Sequence, residues 1–115
     1  MEFGNLRIKS INCYVHHTPT SSEWVAKDRN DHIIGIKLNG KSFHDLGYKT
    51  YMLTENSAFF LNQRDDYSVK IKEIGETLSI HFTTYEPIDT DSFLIKLKDI
   101  KNLLHFLKRQ KYIAF

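Results

Sequence analysis

His32 and His44 flank an Asn-Gly pair in "DHIIGIKLNGKSFHDLG" (residues 31–47), and two histidines in one hairpin raise the question of a metal site. A strand aims two rings at one ion when they stand two residues apart, because each face recurs with a period of two. No His-x-His occurs in this chain. With Asn39-Gly40 as a two-residue turn, Leu38 pairs with Lys41, Ile36 with Phe43 and Gly35 with His44. Cross-strand partners share a face. His32, Ile34, Ile36, Leu38, Phe43 and Asp45 then lie on one side, and Ile33, Gly35, Lys37, Ser42 and His44 on the other. The two histidines diverge. His16 and His17 are adjacent and diverge on a strand as well, while His81 and His105 sit in separate elements. The expectation is no metal and no other cofactor.

Other chemistry is equally sparse. Cys13 and His16 face opposite sides of a strand, and Cys13 and His17 share a side but lie about 13 Å apart. A structural thiol is the expectation. Asp65-Asp66 reads as a turn pair, and no glycine-rich phosphate loop is present. No catalytic residue is assigned.

The elements that would position these residues are mostly strands. Strand candidates are 11–17, 24–28, 32–38, 41–46, 48–53, 58–62, 67–74 and 77–85, separated by short polar or glycine-containing turns. "SFLIKLK" (92–98) is a further candidate. Short strands at close spacing predict an antiparallel sandwich or barrel over residues 5–90. After Pro87 the period changes. Ile100, Leu103, Leu104 and Leu107 fall on one face of a helix predicted over 100–111, with Asp99 as its N-cap. Trp24 and Phe43 are expected in the core.

A chain of 115 residues has room for one domain, and 41% hydrophobic content with 13% aromatics supports a core. No apolar run approaches the ~18 residues of a spanning helix, and the first residues do not read as a signal peptide. Cys13 is the only cysteine, so no intrachain disulfide can form; a cytoplasmic location fits. Residues 1–95 carry 10 basic and 13 acidic side chains, whereas 96–115 carry six basic ones against Asp99 alone. One helix with a basic face reads as a solvated surface, and specific DNA binding by this chain alone is not expected.

The stretch 30–85, roughly half the chain, resembles the N-terminal effector-binding and dimerisation domain of AraC-type transcription regulators. The likeness rests on "IKLNGK", "HDLGYKTYML", the hydrophobic strand "AFFLN", "RDDYSV" and the apolar-His-Phe signature in "SIHF" (79–82). Glu55-Asn56-Ser57 replaces the family's frequent Gly-Asp, and Asn62-Gln63 its frequent Pro-Pro. The resemblance implies a cupin-like antiparallel β-barrel (residues 1–90) followed by helical linker (91–115). It also implies a small-molecule effector, a carbohydrate being one candidate, a homodimer, no membrane, and DNA contact only through a C-terminal domain not in this chain. That is a bacterial sensor, not an enzyme. The competing readings are a stand-alone cupin enzyme, such as a metal-dependent isomerase or dioxygenase, and a dimerisation domain without ligand.

Two arguments orient the last two strands of that stretch. A two-residue Gly75-Glu76 turn puts Lys70, Lys72, Ser79 and His81 on one face, which lysine would make the outer one. The resemblance implies the reverse: Tyr67, Val69, Ser79 and His81 inward, with Ile80 and Phe82 under a helix, at the cost of an odd loop or bulge at Gly75. The stripe Ile100, Leu103, Leu104 and Leu107 needs an apolar surface, which favours the second. Tyr67, Ser79 and His81 are the ligand-binding candidates on that reading.

Overall fold

A computed structural model describes residues 7–96. Nine strands follow one another: β1 (Ile8–His17), β2 (Glu23–Ala26), β3 (His32–Lys37), β4 (Lys41–Asp45), β5 (Thr50–Leu53), β6 (Ser57–Leu61), β7 (Tyr67–Glu73), β8 (Thr77–Thr84) and β9 (Phe93–Lys96). Each candidate segment thus holds a strand. The described residues contain no helix. The helix expected over 100–111 lies outside them, as does most of the segment 91–115.

The strands form two antiparallel sheets rather than one closed barrel. The first has the order β1-β8-β3-β6-β9 and the second β2-β7-β4-β5. Consecutive strands often belong to different sheets, which overturns both hairpins expected from sequence. β3 pairs with β6 and β8, so Ile36 faces Ala58 and Leu78 instead of Phe43. β4 pairs with β5 and β7, so Phe43 faces Met52 and Lys70. The reason is visible at Asn39-Gly40. A tight hairpin turn of this kind needs positive φ at both residues, yet Gly40 alone has it, at 82°. The pair forms a corner that carries the chain from one sheet to the other.

β7 and β8 are likewise parted by a corner, not joined by a Gly75 bulge. The two corners pack backbone to backbone. A Cβ on Gly75 would collide with the Asn39 carbonyl and stand 2.6 Å from Asn39 Oδ1, and one on Gly40 would lie 2.8 Å from Gly75 Cα. Leu38 N–H donates to Glu76 O at 2.9 Å, closing the same junction.

The inward faces read off the registers. In the first sheet Ile33, Gly35 and Lys37 of β3 stand beside His81, Ser79 and Thr77 of β8 and beside Leu61, Phe59 and Ser57 of β6. In the second, Val69 lies between Trp24 and His44, while Ser42 lies between Ile71 and Leu53. Ile33, Leu46, Leu53, Phe59 and Leu61 form the buried core between the sheets. Gly35 lets the Phe59 ring lie against β3: a Cβ there would strike that ring and stand 2.8 Å from Leu78 O.

Phe43 is half-buried on the outer face of the second sheet, not in the core, because its neighbours on that face are Lys70 and Met52. The outer face of the first sheet is apolar. Phe60 and Phe82 are buried there with Ile88, while Ile34 and Ile95 stay exposed. Asn62 ties the 87–92 segment across one end. Its Nδ2 donates to Ile88 O at 2.7 Å and Thr90 O at 2.9 Å, its N–H donates to Ser92 Oγ at 2.8 Å, and its Oδ1 accepts from Arg64 N–H at 3.0 Å.

Candidate functional site

A cavity of about 150 Å³ opens between the sheets. That is room for a molecule of roughly benzene size. Its walls come from both sheets. Tyr67 of β7, and Ser79 and His81 of β8, all line it. The three candidates from sequence therefore share one cavity, contributed by strands that do not pair with each other.

Each of the three has a distinct setting. The His81 Nδ1 and Asp31 Oδ1 are 3.2 Å apart. This contact orients the imidazole ring at the cavity wall. Tyr67 is held by planar groups: the Arg29 guanidinium carbon lies 4.9 Å from its ring centroid, and His44 stacks at 5.7 Å with the planes 13° apart. Burial raises the Tyr67 pKa, so the phenol stays a neutral donor. Ser79 is buried opposite Gly35, against which the Phe59 ring lies.

Arg29 is fixed by its own bonds. It donates from Nη1 to Asp31 O at 3.0 Å and from Nη2 to Asn62 O at 2.5 Å and Asp65 O at 3.0 Å. It ties the 29–31 segment to the 62–65 turn behind Tyr67 and is not among the lining groups.

Lys37, Ser42, His44 and His17 also line the cavity, and sequence reasoning did not select them. Lys37 is 2% exposed and Ser42 1%. Ser42 Oγ and His44 Nδ1 are buried without a hydrogen-bond partner. Burial, and after it the positive charge of Lys37, takes the His44 pKa down to about 4, so this ring is neutral at neutral pH. Burial also lowers the pKa of Lys37. The signal was present in the alternation that set Ile33, Gly35, Lys37, Ser42 and His44 on one face.

His32 has a structural place. It is buried on the outer face of the first sheet, its ring centroid 5.8 Å from that of Phe60 and 5.4 Å from that of Phe82. Its Nδ1 accepts the Gln63 N–H at 2.9 Å. Burial, then Arg29, holds its pKa down, which keeps that nitrogen an acceptor. His32 and His44 are kept apart by the body of the first sheet, not by divergence across a hairpin. The fold does bring His17, His44 and His81 to one cavity, yet among the described residues no group of three His, Cys, Asp or Glu side chains is placed to hold a metal ion. Cys13 is exposed on β1, an edge strand, and not a buried thiol.

No family model matches the chain, and no curated protein matches it significantly. Among the described residues no helix is long and apolar enough to cross a membrane. What the fold and site define is a mainly β chain of two antiparallel sheets enclosing a small cavity, apolar in body and polar at selected points.

Proposed function

We propose that this chain is the effector-sensing and dimerisation domain of an AraC-type transcription regulator, with a cupin-like fold and a small molecule held between its sheets. The observation that carries the reading is the convergence of Tyr67, Ser79 and His81 on one cavity that also presents buried polar atoms without partners. Buried polar groups are nearly always satisfied. A wall that leaves Ser42 Oγ and His44 Nδ1 unpaired is suited to a ligand that completes them.

The strand order supports the fold half of the proposal. Two four-stranded sheets ordered β1-β8-β3-β6 and β2-β7-β4-β5 have the connectivity of a double-sheet jelly roll, the architecture of cupins; β9 extends one edge. In this reading the effector is small, a compact carbohydrate or similar metabolite. The basic segment 96–115 leads toward a homodimer contact, and DNA is read by a separate C-terminal domain. Cytoplasmic location follows from that role.

The test is a thermal-shift screen of sugars, small carboxylates and small neutral aromatics, with Ser79→Phe as control. At least one compound class should raise the midpoint of the parent, and Ser79→Phe, which fills the cavity, should lose the response while remaining folded. A response unchanged in Ser79→Phe, or no stabiliser in the panel, contradicts the proposal.

The competing reading is a metal-dependent cupin enzyme; His17, His44 and His81 line one cavity but are not placed to hold an ion together. Elemental analysis of untagged protein separates the two: about one zinc, iron or manganese per chain selects the enzyme.

A further inference from the structure

Lys37 is the feature that the fold does not explain. It is the last inward residue of β3, pointing between the sheets where Ile33 and Gly35 point, and it is 2% exposed. Lysine on a strand normally runs its stem along the surface and keeps its ammonium in water. Here no carboxylate lies within ion-pair distance of Lys37 among the described residues, and no side-chain hydrogen bond of Lys37 is present there. A lone enclosed cation weakens a fold. Nothing among the described residues offsets that cost, which suits Lys37 to a compensating charge brought by a ligand.

The surroundings narrow its chemistry. Lys37 precedes the Asn39-Gly40 corner and Ser42 follows it as the first inward residue of β4, so the two emerge on facing sheets at the same end of the cavity. Ser42 Oγ is buried and unpartnered, ready to donate. Among the described residues no second lysine or arginine lines the cavity, which suits a monoanion better than a phosphate dianion. The rest of the wall includes the aromatic side chains of Trp24, Phe59 and Tyr67. The volume of about 150 Å³ admits a body of one ring and no long chain.

We infer that the cavity takes a small monocarboxylate, its carboxylate on the Lys37 ammonium and the Ser42 hydroxyl and its flat or apolar body against Trp24, Phe59 and Tyr67. The inference rests on the sensor reading above and names the chemical class of the effector. His81, which lines the same cavity, sets a second polar contact for a hydroxyl on the same ligand. Lys37 is then a residue that lowers the stability of the empty protein and recovers it when the ligand arrives.

The probes are benzoate and its neutral isostere benzamide, titrated by calorimetry into the parent, Lys37→Met and Ser42→Ala. The parent should bind benzoate about tenfold or more tighter than benzamide. Lys37→Met should erase that preference and raise the unfolding midpoint of the ligand-free protein, the opposite of what loss of a structural lysine does. Ser42→Ala should weaken benzoate and leave benzamide unchanged, which keeps the test open if Lys37→Met does not fold. Equal affinity for the two probes in the parent, a preference that survives in Lys37→Met, or no binding of either at millimolar concentration overturns the carboxylate site. A neutral compound that binds in the cavity while benzoate does not overturns it too, and leaves the sensor reading standing; failure of the whole screen, or a response unchanged in Ser79→Phe, removes both.

Discussion

Asn39 Oδ1 accepts the backbone N–H of Glu76 at 2.9 Å, and through this bond the corner after β3 is fastened to the corner before β8. Asn39 Nδ2 also reaches Glu76 Oε2 at 3.3 Å, and Gly75 brings its backbone against the Asn39 carbonyl. Both corners set the end of the cavity where Lys37 and Thr77 stand side by side.

Gly75→Ala should therefore destabilise strongly, because its Cβ has no room beside Asn39. About 1–3 kcal/mol or more is expected from such overpacking. Asn39→Ala should cost about 1 kcal/mol, since its bonds are exposed to solvent. Urea unfolding of both variants checks the order. A loss for Gly75→Ala below that for Asn39→Ala contradicts the junction.

The same corner shows what was legible in the sequence. All nine strand locations could be read, because alternation and glycine or Asx punctuation are local signals. Partnership could not. The Asn-Gly rule assumes that neighbouring segments pair, and here Asn39 lacks the positive φ that a tight hairpin needs, so β3 and β4 enter different sheets. The parity of Ile33, Gly35, Lys37, Ser42 and His44 survived this error, since alternation along each strand does not depend on its partner. Tyr67, Ser79 and His81 were placed inward by resemblance and by the need to cover an apolar face. Lysine on a strand is ordinarily a surface residue, so the sequence does not mark Lys37, whose enclosure follows only from two sheets facing each other.

Gly35→Ala tests the contact that shapes the cavity wall. Its Cβ would strike the Phe59 ring and crowd Leu78 O at 2.8 Å. A loss of about 1–3 kcal/mol is expected. Phe59→Leu should recover part of it in the Gly35→Ala background, a coupling read from a double-mutant cycle by thermal unfolding. Strict additivity would show that the ring does not lie over Gly35.

Asn62→Ala should cost about 2–4 kcal/mol. It removes the donors to Ile88 O and Thr90 O and leaves those carbonyls at a largely enclosed site. Hydrogen exchange should rise first in residues 88–92. Unchanged protection there, with an unchanged midpoint, contradicts the role given to Asn62.

Stability should fall as pH drops from about 6.5. His44 has its pKa lowered to about 4 by burial and then by Lys37, and His32 is lowered in the same direction by burial and then by Arg29. Between the folded and unfolded values the unfolded chain holds the extra protons, so acid favours unfolding, and the neutral-ring stability is fully present above 6.5. Tyr67 and Phe59 face the His44 ring without competing charge. Denaturant unfolding near pH 7 and near pH 5 should differ by about 1–2 kcal/mol on account of His44. His44→Phe should flatten the slope; an equal slope in that variant removes His44 as its source.

The measurement closest to the central claim is amide chemical-shift mapping of the chain with the best stabiliser from the screen. A ligand between the sheets should perturb the amides of residues 35–37, 42–44, 67–69 and 77–81 together, from both sheets at once. Perturbations confined to the outer face of the first sheet, around His32, Phe60 and Phe82, or none at saturating ligand, would contradict a sensing cavity built from Tyr67, Ser79 and His81.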